Sequence, residues 1–275
     1  YTTLFRSDNV TSLKFLYYVL KNNTQRFKDA SLGMGAMPQI SLTVTEDFIM
    51  PVPPMEVQSE IVRILDNFTE LTAELTAELT ARKKQYEYYR DELLTFDEND
   101  TSVEWKTLKD VLTIKNGKDY KTLGSGDIPV YGTGGIMCYV DTFAFDKPSV
   151  LIPRKGSIDK LYYVDIPFWT VDTIFYTDID ISKVVPKYVY YYLQKEHLEK
   201  LNTAGGVPSL TQAVLNKVAI PLPPLAEQER IVSILDRFDA LCNDISIGLP
   251  AEIEARKKQY EYYRDKLLTF KEKVA

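Results

Sequence analysis

The chain has 275 residues, enough for two domains of ordinary size, and its hydrophobic content of 45% is ample for packed cores. Two cysteines exclude a disulfide framework and a four-cysteine zinc site, and no apolar run approaches the ~18 residues of a membrane span. The net charge of −6 argues against a uniformly DNA-binding surface, but residues 103–220 carry 14 basic and 13 acidic side chains. Any DNA-facing surface would therefore have to be local and to lie in that middle segment.

The first seven residues, YTTLFRS, read like the translation of a sequencing-adapter oligonucleotide. We expect residues 1–7 to be an assembly scar and the genuine chain to be an N-terminally truncated product that starts near Asp8.

The dominant sequence feature is an internal repeat. PVPPMEVQSEIVRILDNFTEL (51–71) parallels PLPPLAEQERIVSILDRFDAL (221–241), and ARKKQYEYYRDELLTF (81–96) parallels ARKKQYEYYRDKLLTF (255–270). Further upstream, FLYYVL parallels YVYYYL and GAMPQIS (35–41) parallels GGVPSLT (205–211). Two copies are too few for a solenoid, so the repeat predicts two like halves in a pseudo-twofold arrangement.

Each copy predicts a long helix. No Pro or Gly interrupts residues 56–96, and apolar residues recur there at spacings of three, four and seven. The second copy carries the same stripe, including Ile245, but Gly248-Leu249-Pro250 should break or kink it. We expect the two helices to pair antiparallel, with a parallel pair as the alternative.

The first helix contains LTAELTAELTA (71–81), a tandem TAEL repeat. One added unit lengthens a helix by about 6 Å and rotates the residues beyond it by about 40°. The tandem is either a helix-forming filler or a spacer of adjustable length, and the sequence leaves both open.

Residues 103–220 are predicted to form an α+β domain. Strands are predicted at 111–114, 149–153, 161–164 and 173–177, and helices at about 185–200 and 209–216, the latter capped by Ser209. Glycine-rich turns separate the strands. Trp169 is predicted to pack into the core, and Asp172 is predicted to accept hydrogen bonds from turn amides.

Two loops carry the strongest functional signal. GTGGI (132–136) lets backbone approach another molecule closely, and IPRKGSI (152–158) places Arg154 and Lys155 directly after a strand. Arg, Lys and Ser donate to phosphate oxygens, although a charged β-turn is the simpler interpretation of the second loop. Catalysis has little support, because His197 is the only histidine and is predicted to be a surface residue.

The repeated helix motifs, with YGTGGI, IPRKGS and PFWTVDT in the intervening segment, resemble the specificity subunit of type I restriction–modification systems. The resemblance implies an α+β fold: target-recognition domains with an irregular sheet, plus two long helices that form a pseudo-twofold antiparallel coiled coil. The implied division is 1–7, the scar; 8–50, the remnant of a first recognition domain; 51–100, the first long helix; 101–220, a complete second recognition domain; and 221–275, the second helix, kinked near Pro250.

The same resemblance implies a non-catalytic, bacterial cytoplasmic subunit that reads a half-site of a bipartite target. Its partners would be double-stranded DNA, two methyltransferase subunits and restriction subunits, with no membrane. It needs no cofactor of its own; S-adenosylmethionine, ATP and Mg are expected on the partner subunits. The competing hypothesis is a non-DNA coiled-coil scaffold that carries a protein-binding domain, and a cryptic enzyme is a third.

The resemblance also nominates site residues. The expected DNA-facing residues are Lys118, Tyr131, Thr133, Gly134, Gly135, Arg154, Lys155, Gly156 and Ser157. The expected partner-binding residues of the two helices are Lys83, Tyr86, Arg90, Lys257, Tyr260 and Arg264. No catalytic or metal-binding residues are expected.

Overall fold

A computed structural model describes residues 10–31, 39–97, 99–202, 209–244 and 246–270. The predicted scar at 1–7, Ile245 and most of the parallel between 35–41 and 205–211 lie outside the described residues. The chain forms two compact units, the first made of Tyr1–Arg82 with Ala240–Ala275 and the second of Lys83–Asp239. The fold class is α+β, as predicted. Within the described ranges, no helix is long and apolar enough to cross a membrane.

The first unit is helical. It contains α1 (Leu13–Asn22), α2 (Thr24–Asp29), α3 (Leu42–Glu46), the first part of α4 (Met55–Leu93), the last residues of α8 (Leu225–Asn243) and all of α9 (Leu249–Leu268). Ser12 starts α1 by accepting a hydrogen bond from the amide of Phe15. The core of the unit comprises Phe15, Tyr18, Val19, Ile61, Leu65 and Leu268.

Helices α4 and α9 run antiparallel in this unit. Ile61 and Leu65, near the start of α4, share a core with Leu268 at the end of α9. Further along α4, Phe68 stacks on Tyr263, with ring centroids 5.5 Å apart. The order of these contacts confirms the antiparallel pairing that the repeat predicted.

Helix α4 is continuous for 39 residues, about 58 Å at ~1.5 Å per residue. It ends at Leu93, three residues before the predicted end at Phe96. In the TAEL tandem, the hydroxyls of Thr72, Thr76 and Thr80 each donate to the carbonyl four residues earlier. These bonds satisfy the threonine hydroxyls within the helix.

The second copy of the repeat is broken between α8 and α9. Oδ1 of Asp244 accepts a hydrogen bond from the amide of Ser246, at 2.7 Å, which ends α8 in a turn. Gly248 then caps α9, and Pro250 lies in the first turn, where its missing N–H costs nothing. A Cβ on Gly248 would lie 2.5 Å from the carbonyl oxygen of Ala240, so only glycine fits. The sequence allowed a kink or a break, and the structure has a break.

In its described residues, the second unit contains nine short strands and the remaining helices. The strands are β1 (Glu104–Thr107), β2 (Leu112–Asn116), β3 (Ile128–Gly132), β4 (Gly135–Val140), β5 (Ser149–Pro153), β6 (Tyr162–Val164), β7 (Trp169–Thr170), β8 (Ile174–Ile179) and β9 (Ala219–Leu222). The helices within it are α5 (Leu108–Val111), α6 (Pro186–Lys195) and α7 (Gln212–Leu215), with a 3-10 turn at Leu198–Leu201.

The strands form three sheets. Their orders are β1-β9, β2-β8-β5-β6 and β4-β3-β7. All pairs are antiparallel except β3 with β7. Every residue of β5 is buried between its neighbours, and the main core comprises Val130, Val140, Phe145, Leu151, Val164, Phe168, Val171 and Ile174. The predicted irregular sheet thus takes the form of three small sheets, and the two larger ones contribute residues to this core.

Three predicted secondary-structure elements begin or end at different residues in the structure. Val111 belongs to α5, because Thr107 and Asp110 form a capping box, and β2 therefore starts at Leu112. The short helix α7 is capped by Thr211 and not by Ser209. Residues 185–200 divide into α6 and the 3-10 turn.

A buried glutamine holds the start of the long helix in each repeat. In the first unit, Gln58 accepts a hydrogen bond from the amide of Ser12 at 2.9 Å and donates to the carbonyl of the proline five residues earlier. In the second unit, Gln228 accepts from the amide of Val185 at 2.9 Å and donates to the corresponding proline carbonyl. The two copies therefore make the same hydrogen bonds.

An aspartate network repeats in the same way. Asp66 accepts a hydrogen bond from the hydroxyl of Tyr18 at 2.6 Å, and Asp236 accepts one from Tyr191 at 2.6 Å. Each aspartate also pairs with the lysine four residues before that tyrosine. The two copies of the repeat therefore have the same local hydrogen-bonded geometry.

Candidate functional site

The two glycine loops selected from the sequence meet in the second unit. Gly135 follows the turn between β3 and β4 with φ 113°, and Gly156 follows β5 with φ 79°, backbone conformations that favour glycine. A Cβ on Gly156 would lie 3.9 Å from Cγ2 of Thr133. Residues separated by more than twenty positions in sequence therefore form one surface, here called the loop surface, made of 133–135 and 154–157.

Thr173 makes hydrogen-bond contacts with both loops. Oγ1 of Thr133 lies 3.2 Å from Oγ1 of Thr173, and the amide of Arg154 donates to the carbonyl of Thr173 at 3.0 Å. The hydroxyl of Tyr162 donates to the carbonyl of Thr133 at 2.9 Å. The PFWTVDT segment thus positions the loops, a role that its sequence alone did not indicate.

Arg154 and Lys155 point in different directions although they are adjacent. The Arg154 guanidinium lies 5.1 Å from the centroid of Phe175, and its buried Nε has no hydrogen-bond partner among the described residues. The Lys155 side chain is exposed, while its backbone bridges to Ser209. Lys155 is therefore the outward cation of this loop, and Arg154 is anchored on a ring. Ser157 is also exposed.

A cleft of ≈ 740 Å³ lies beside the loop surface. Its lining residues are Asp119, Tyr120, Lys121, Thr133, Gly134, Met137, Val171, Asp172 and Thr173. Lys121, Met137 and Thr173 were not selected from the sequence. Lys121 was missed because nothing in the linear pattern relates residues 119–121 to the loops. Asp172 is exposed at the cleft, and no hydrogen bond from a turn amide to it is found among the described residues.

Lys118 lies at the edge of this region. Its amide donates to the carbonyl of Thr170 at 2.8 Å, and its carbonyl accepts from Nε1 of Trp169 at 2.9 Å. These bonds leave the Lys118 side chain exposed. Trp169 is half-buried against the core, where Phe168 is the fully buried residue. The prediction of Trp169 as a core residue is thus correct only for one of its faces.

Tyr131 is a packing residue more than a surface residue. Its ring lies 6.0 Å from that of Tyr162 and 6.3 Å from that of Phe168. Burial, with smaller effects of Tyr139 and Asp165, raises the pKa of the Tyr131 hydroxyl. Tyr131 is therefore less exposed than Lys118 and Lys155.

The six partner-binding candidates fall into a buried or half-buried group and an exposed group, and each repeat contributes to both groups in the same way. Tyr86 is only 7% exposed, and its hydroxyl donates to Gln194. Arg90 lies 5.8 Å from the Tyr86 ring, and Arg264 lies 5.8 Å from the Tyr260 ring. Tyr86 is therefore buried, Tyr260 is half-buried, and each arginine lies over the tyrosine one turn earlier on its own helix.

The solvent-exposed face of each long helix carries a different set of side chains. Lys83 and Lys257 are exposed, as nominated. Tyr88 and Tyr262, which were not nominated, are 63% and 60% exposed. The helical period could have revealed them, since they lie two positions beyond Tyr86 and Tyr260 and hence off the stripe.

The described residues hold no cluster of three or more His, Cys, Asp or Glu side chains that could bind a metal ion. His197 is exposed, with φ 50°, and its ring pairs with Glu199. It lies between α6 and the 3-10 turn and not on a continuous helix.

Comparison with protein families matches residues 3–82 and 102–255 to the type I restriction modification DNA specificity domain. A type I restriction enzyme specificity subunit from Escherichia coli is 37% identical over 96% of this chain and 72% of its own length. A putative counterpart from Haemophilus influenzae is 38% identical over 94% of this chain and 72% of its own length. A putative type I specificity subunit from Mycoplasma pneumoniae is 32% identical over 81% of this chain and 96% of its own length.

Solved structures share the fold. The S subunit of a type I restriction–modification system from M. genitalium superposes with a TM-score of 0.68 at 20% identity, covering 97% of this chain and 75% of that one. The HsdS subunit from Thermoanaerobacter tengcongensis gives a TM-score of 0.56 at 18% identity, covering 94% and 71%.

Proposed function

The chain belongs to the family of type I restriction–modification DNA specificity domains, and from this premise we propose that residues 101–220 read a half-site of a bipartite target in double-stranded DNA. The observation that carries the proposal is the loop surface, where two glycine loops distant in sequence come together and present Lys155. Exposed lysine and loop amides are suited to phosphate oxygens, which position a protein on DNA. The subunit itself is non-catalytic.

The division of the chain follows from this function. We propose 8–50 as part of a first recognition domain, 51–100 as the first long helix, 101–220 as the recognition domain and 221–275 as the second helix. The TAEL tandem would set the distance between half-sites, because each unit of four residues adds about 6 Å of helix.

The partners proposed are two methyltransferase subunits, with restriction subunits joining that core. The support is the duplicated outward face, in which Lys83 and Tyr88 of one repeat correspond to Lys257 and Tyr262 of the other. One partner surface would fit both. S-adenosylmethionine, ATP and Mg would act on the partner subunits, and the complex would work in the bacterial cytoplasm.

Reconstitution with the methyltransferase subunit, followed by mapping of methylated sites, tests the function. Exchange of 103–220 for the corresponding segment of another family member should change the half-site that this segment reads. An unchanged methylation pattern, or no bipartite motif at all, would favour the coiled-coil scaffold that binds protein and not DNA.

A second test asks whether Lys155 contacts a DNA phosphate. Lys155→Ala should weaken DNA binding and flatten the slope of log K against log salt by about 0.9, the value for one phosphate contact. Its effect on stability should stay within about 0.5 kcal/mol, because the side chain is exposed. Lys109→Ala, at an exposed lysine of α5, is the matched control and should leave the slope unchanged. Equal slopes for the two variants would show that Lys155 does not contact phosphate.

A further inference from the structure

A second cleft in the second unit is lined mainly by tyrosines. Its volume is ≈ 320 Å³, at the lower end of the ~300–1,000 Å³ typical of small-molecule pockets. Tyr131, Tyr162 and Tyr163 come from the strands, Lys187 and Tyr190 from α6, and Asp239 from α8. We call the site formed by these six residues the tyrosine cleft, and it has room for a single side chain.

Tyr163 and Tyr190 are neighbouring rings of the lining and contact each other, with centroids 6.1 Å apart and planes tilted by 51°. The Lys187 ammonium lies 5.5 Å from the Tyr163 centroid, so this ring is in contact with a cation in this structure. A cation within ~6 Å of a tyrosine ring is attracted by the negative face of the ring.

The charges near the cleft also favour a cation. Lys187 is neutralised by Asp236, with 2.8 Å between Nζ and Oδ2. Asp239 lines the cleft and Asp165 follows the Tyr163 strand, which leaves the region negative. Burial, followed by the charge of Asp239, raises the pKa of the Tyr190 hydroxyl to about 12. Burial, followed by Asp165 and Asp236, also raises the pKa of Tyr163.

We propose that the tyrosine cleft binds the guanidinium of an arginine side chain supplied by a protein partner. A planar guanidinium stacks on an aromatic ring and donates to a carboxylate in one geometry, which suits the Tyr190 ring with Asp239 in the same lining. A carboxylate can accept more than one donor, so Asp239 can take the guanidinium in addition to its contacts within the chain. A DNA phosphate does not fit, because the surrounding carboxylates would repel it.

The first unit offers a natural control. Its residues equivalent to Tyr190 and Asp239 are Tyr17 and Thr69, as read from the repeat. Tyr17 is 54% exposed, and the carboxylate of Asp239 is replaced there by a hydroxyl. The helices are duplicated but the cleft is not, so one arginine should bind per chain.

The test uses the full chain with ring-¹³C tyrosine and N-acetyl-arginine amide as the probe. NMR titration should show saturable shifts of the Tyr163 and Tyr190 signals, assigned through Tyr163→Phe and Tyr190→Phe, and no shift at Tyr17. N-acetyl-citrulline amide, an uncharged isostere, should bind at least about tenfold more weakly, as should arginine amide to Asp239→Asn. Equal binding of citrulline amide, an unaltered affinity in Asp239→Asn, or comparable shifts with inorganic phosphate would each overturn the cationic site.

A second experiment tests whether the methyltransferase subunit supplies the arginine, and it rests on the proposed function. Addition of the methyltransferase subunit should block the titration with arginine amide, whereas spermidine at matched charge should compete only weakly. Asp239→Asn should lower the affinity for that subunit about tenfold, and Thr69→Ala should not. If the arginine amide still binds with the subunit in place, or Asp239→Asn assembles normally, the assignment to a protein partner is wrong. The DNA-binding proposal is unaffected by either result.

Discussion

The aspartate network predicts a measurable coupling between α6 and α8 in the second unit. Tyr191 is 2% exposed, and its hydroxyl donates to Oδ1 of Asp236 at 2.6 Å. Replacement of Asp236 by alanine leaves that hydroxyl buried without its acceptor. Hydrogen bonds to charged groups contribute about 1.5–3 kcal/mol, so a large part of the loss should come from this single bond.

The ion pair in the same network should contribute less. The side chains of Lys187 and Asp236 are 36% and 35% exposed, so solvent screens them and their pair is worth roughly 0–1 kcal/mol. Asp236→Ala should therefore cost about 2–3 kcal/mol and Tyr191→Phe about 1–2 kcal/mol. The double variant should cost less than their sum by about 1–2 kcal/mol, because both changes remove the same bond.

Urea unfolding followed by tryptophan fluorescence measures this cycle. Both tryptophans, Trp105 and Trp169, lie in the second unit, so the signal reports on the unit that contains the network. The matched pair in the first unit, Asp66 and Tyr18, is read by hydrogen exchange of α1 and should give a coupling of the same size. A coupling energy below about 0.5 kcal/mol in both units would refute the assignment of the network as a structural anchor.

Two further predictions concern the first unit. Burial raises the pKa of Asp66, but hydrogen bonds from Lys14 and Tyr18 outweigh it and hold this pKa below its usual range. Asp66 therefore contributes stability above the unfolded carboxyl pKa of ~3.9, and the contribution is lost as pH falls through the lower folded value. Asp66→Asn should flatten the pH dependence of α1 exchange between about pH 5 and 2, and an unchanged profile would contradict the assignment. Gly248→Ala should cost about 1–3 kcal/mol, seen as a lower Tm by circular dichroism, because a Cβ would overlap carbonyls of the preceding turn. An unchanged Tm would show that the turn can open without cost.

Local sequence patterns predicted much of the fold. The apolar stripe, the prolines and the absence of helix breakers predicted α4 to within three residues at its C-terminal end. Ser149–Pro153 is a strand with the predicted bounds, because a run of buried apolar residues between turns has few alternatives. Errors of one to three residues occurred where a side-chain cap decided the boundary, as at Thr107 and Thr211.

The candidate site was predictable in part. GTGGI and IPRKGSI stand out by composition, but their contact through Thr173 depends on how β3, β5 and β8 assemble. The inward orientation of Arg154 could not be read from the sequence, because the choice between solvent and the Phe175 ring depends on packing.

The sequence by itself determined the repeat, the two long helices and the family, because these depend on identity and periodicity along the chain. The tertiary structure alone decided which side chains are available to a partner. Tyr86 and Tyr88 belong to the same short motif, yet one lies in a core and the other is open to solvent. The same holds for the tyrosine cleft, whose lining residues come from strands and helices between Tyr131 and Asp239. Contacts of that kind arise only when elements pack, since burial is a property of the assembled fold and not of any local segment.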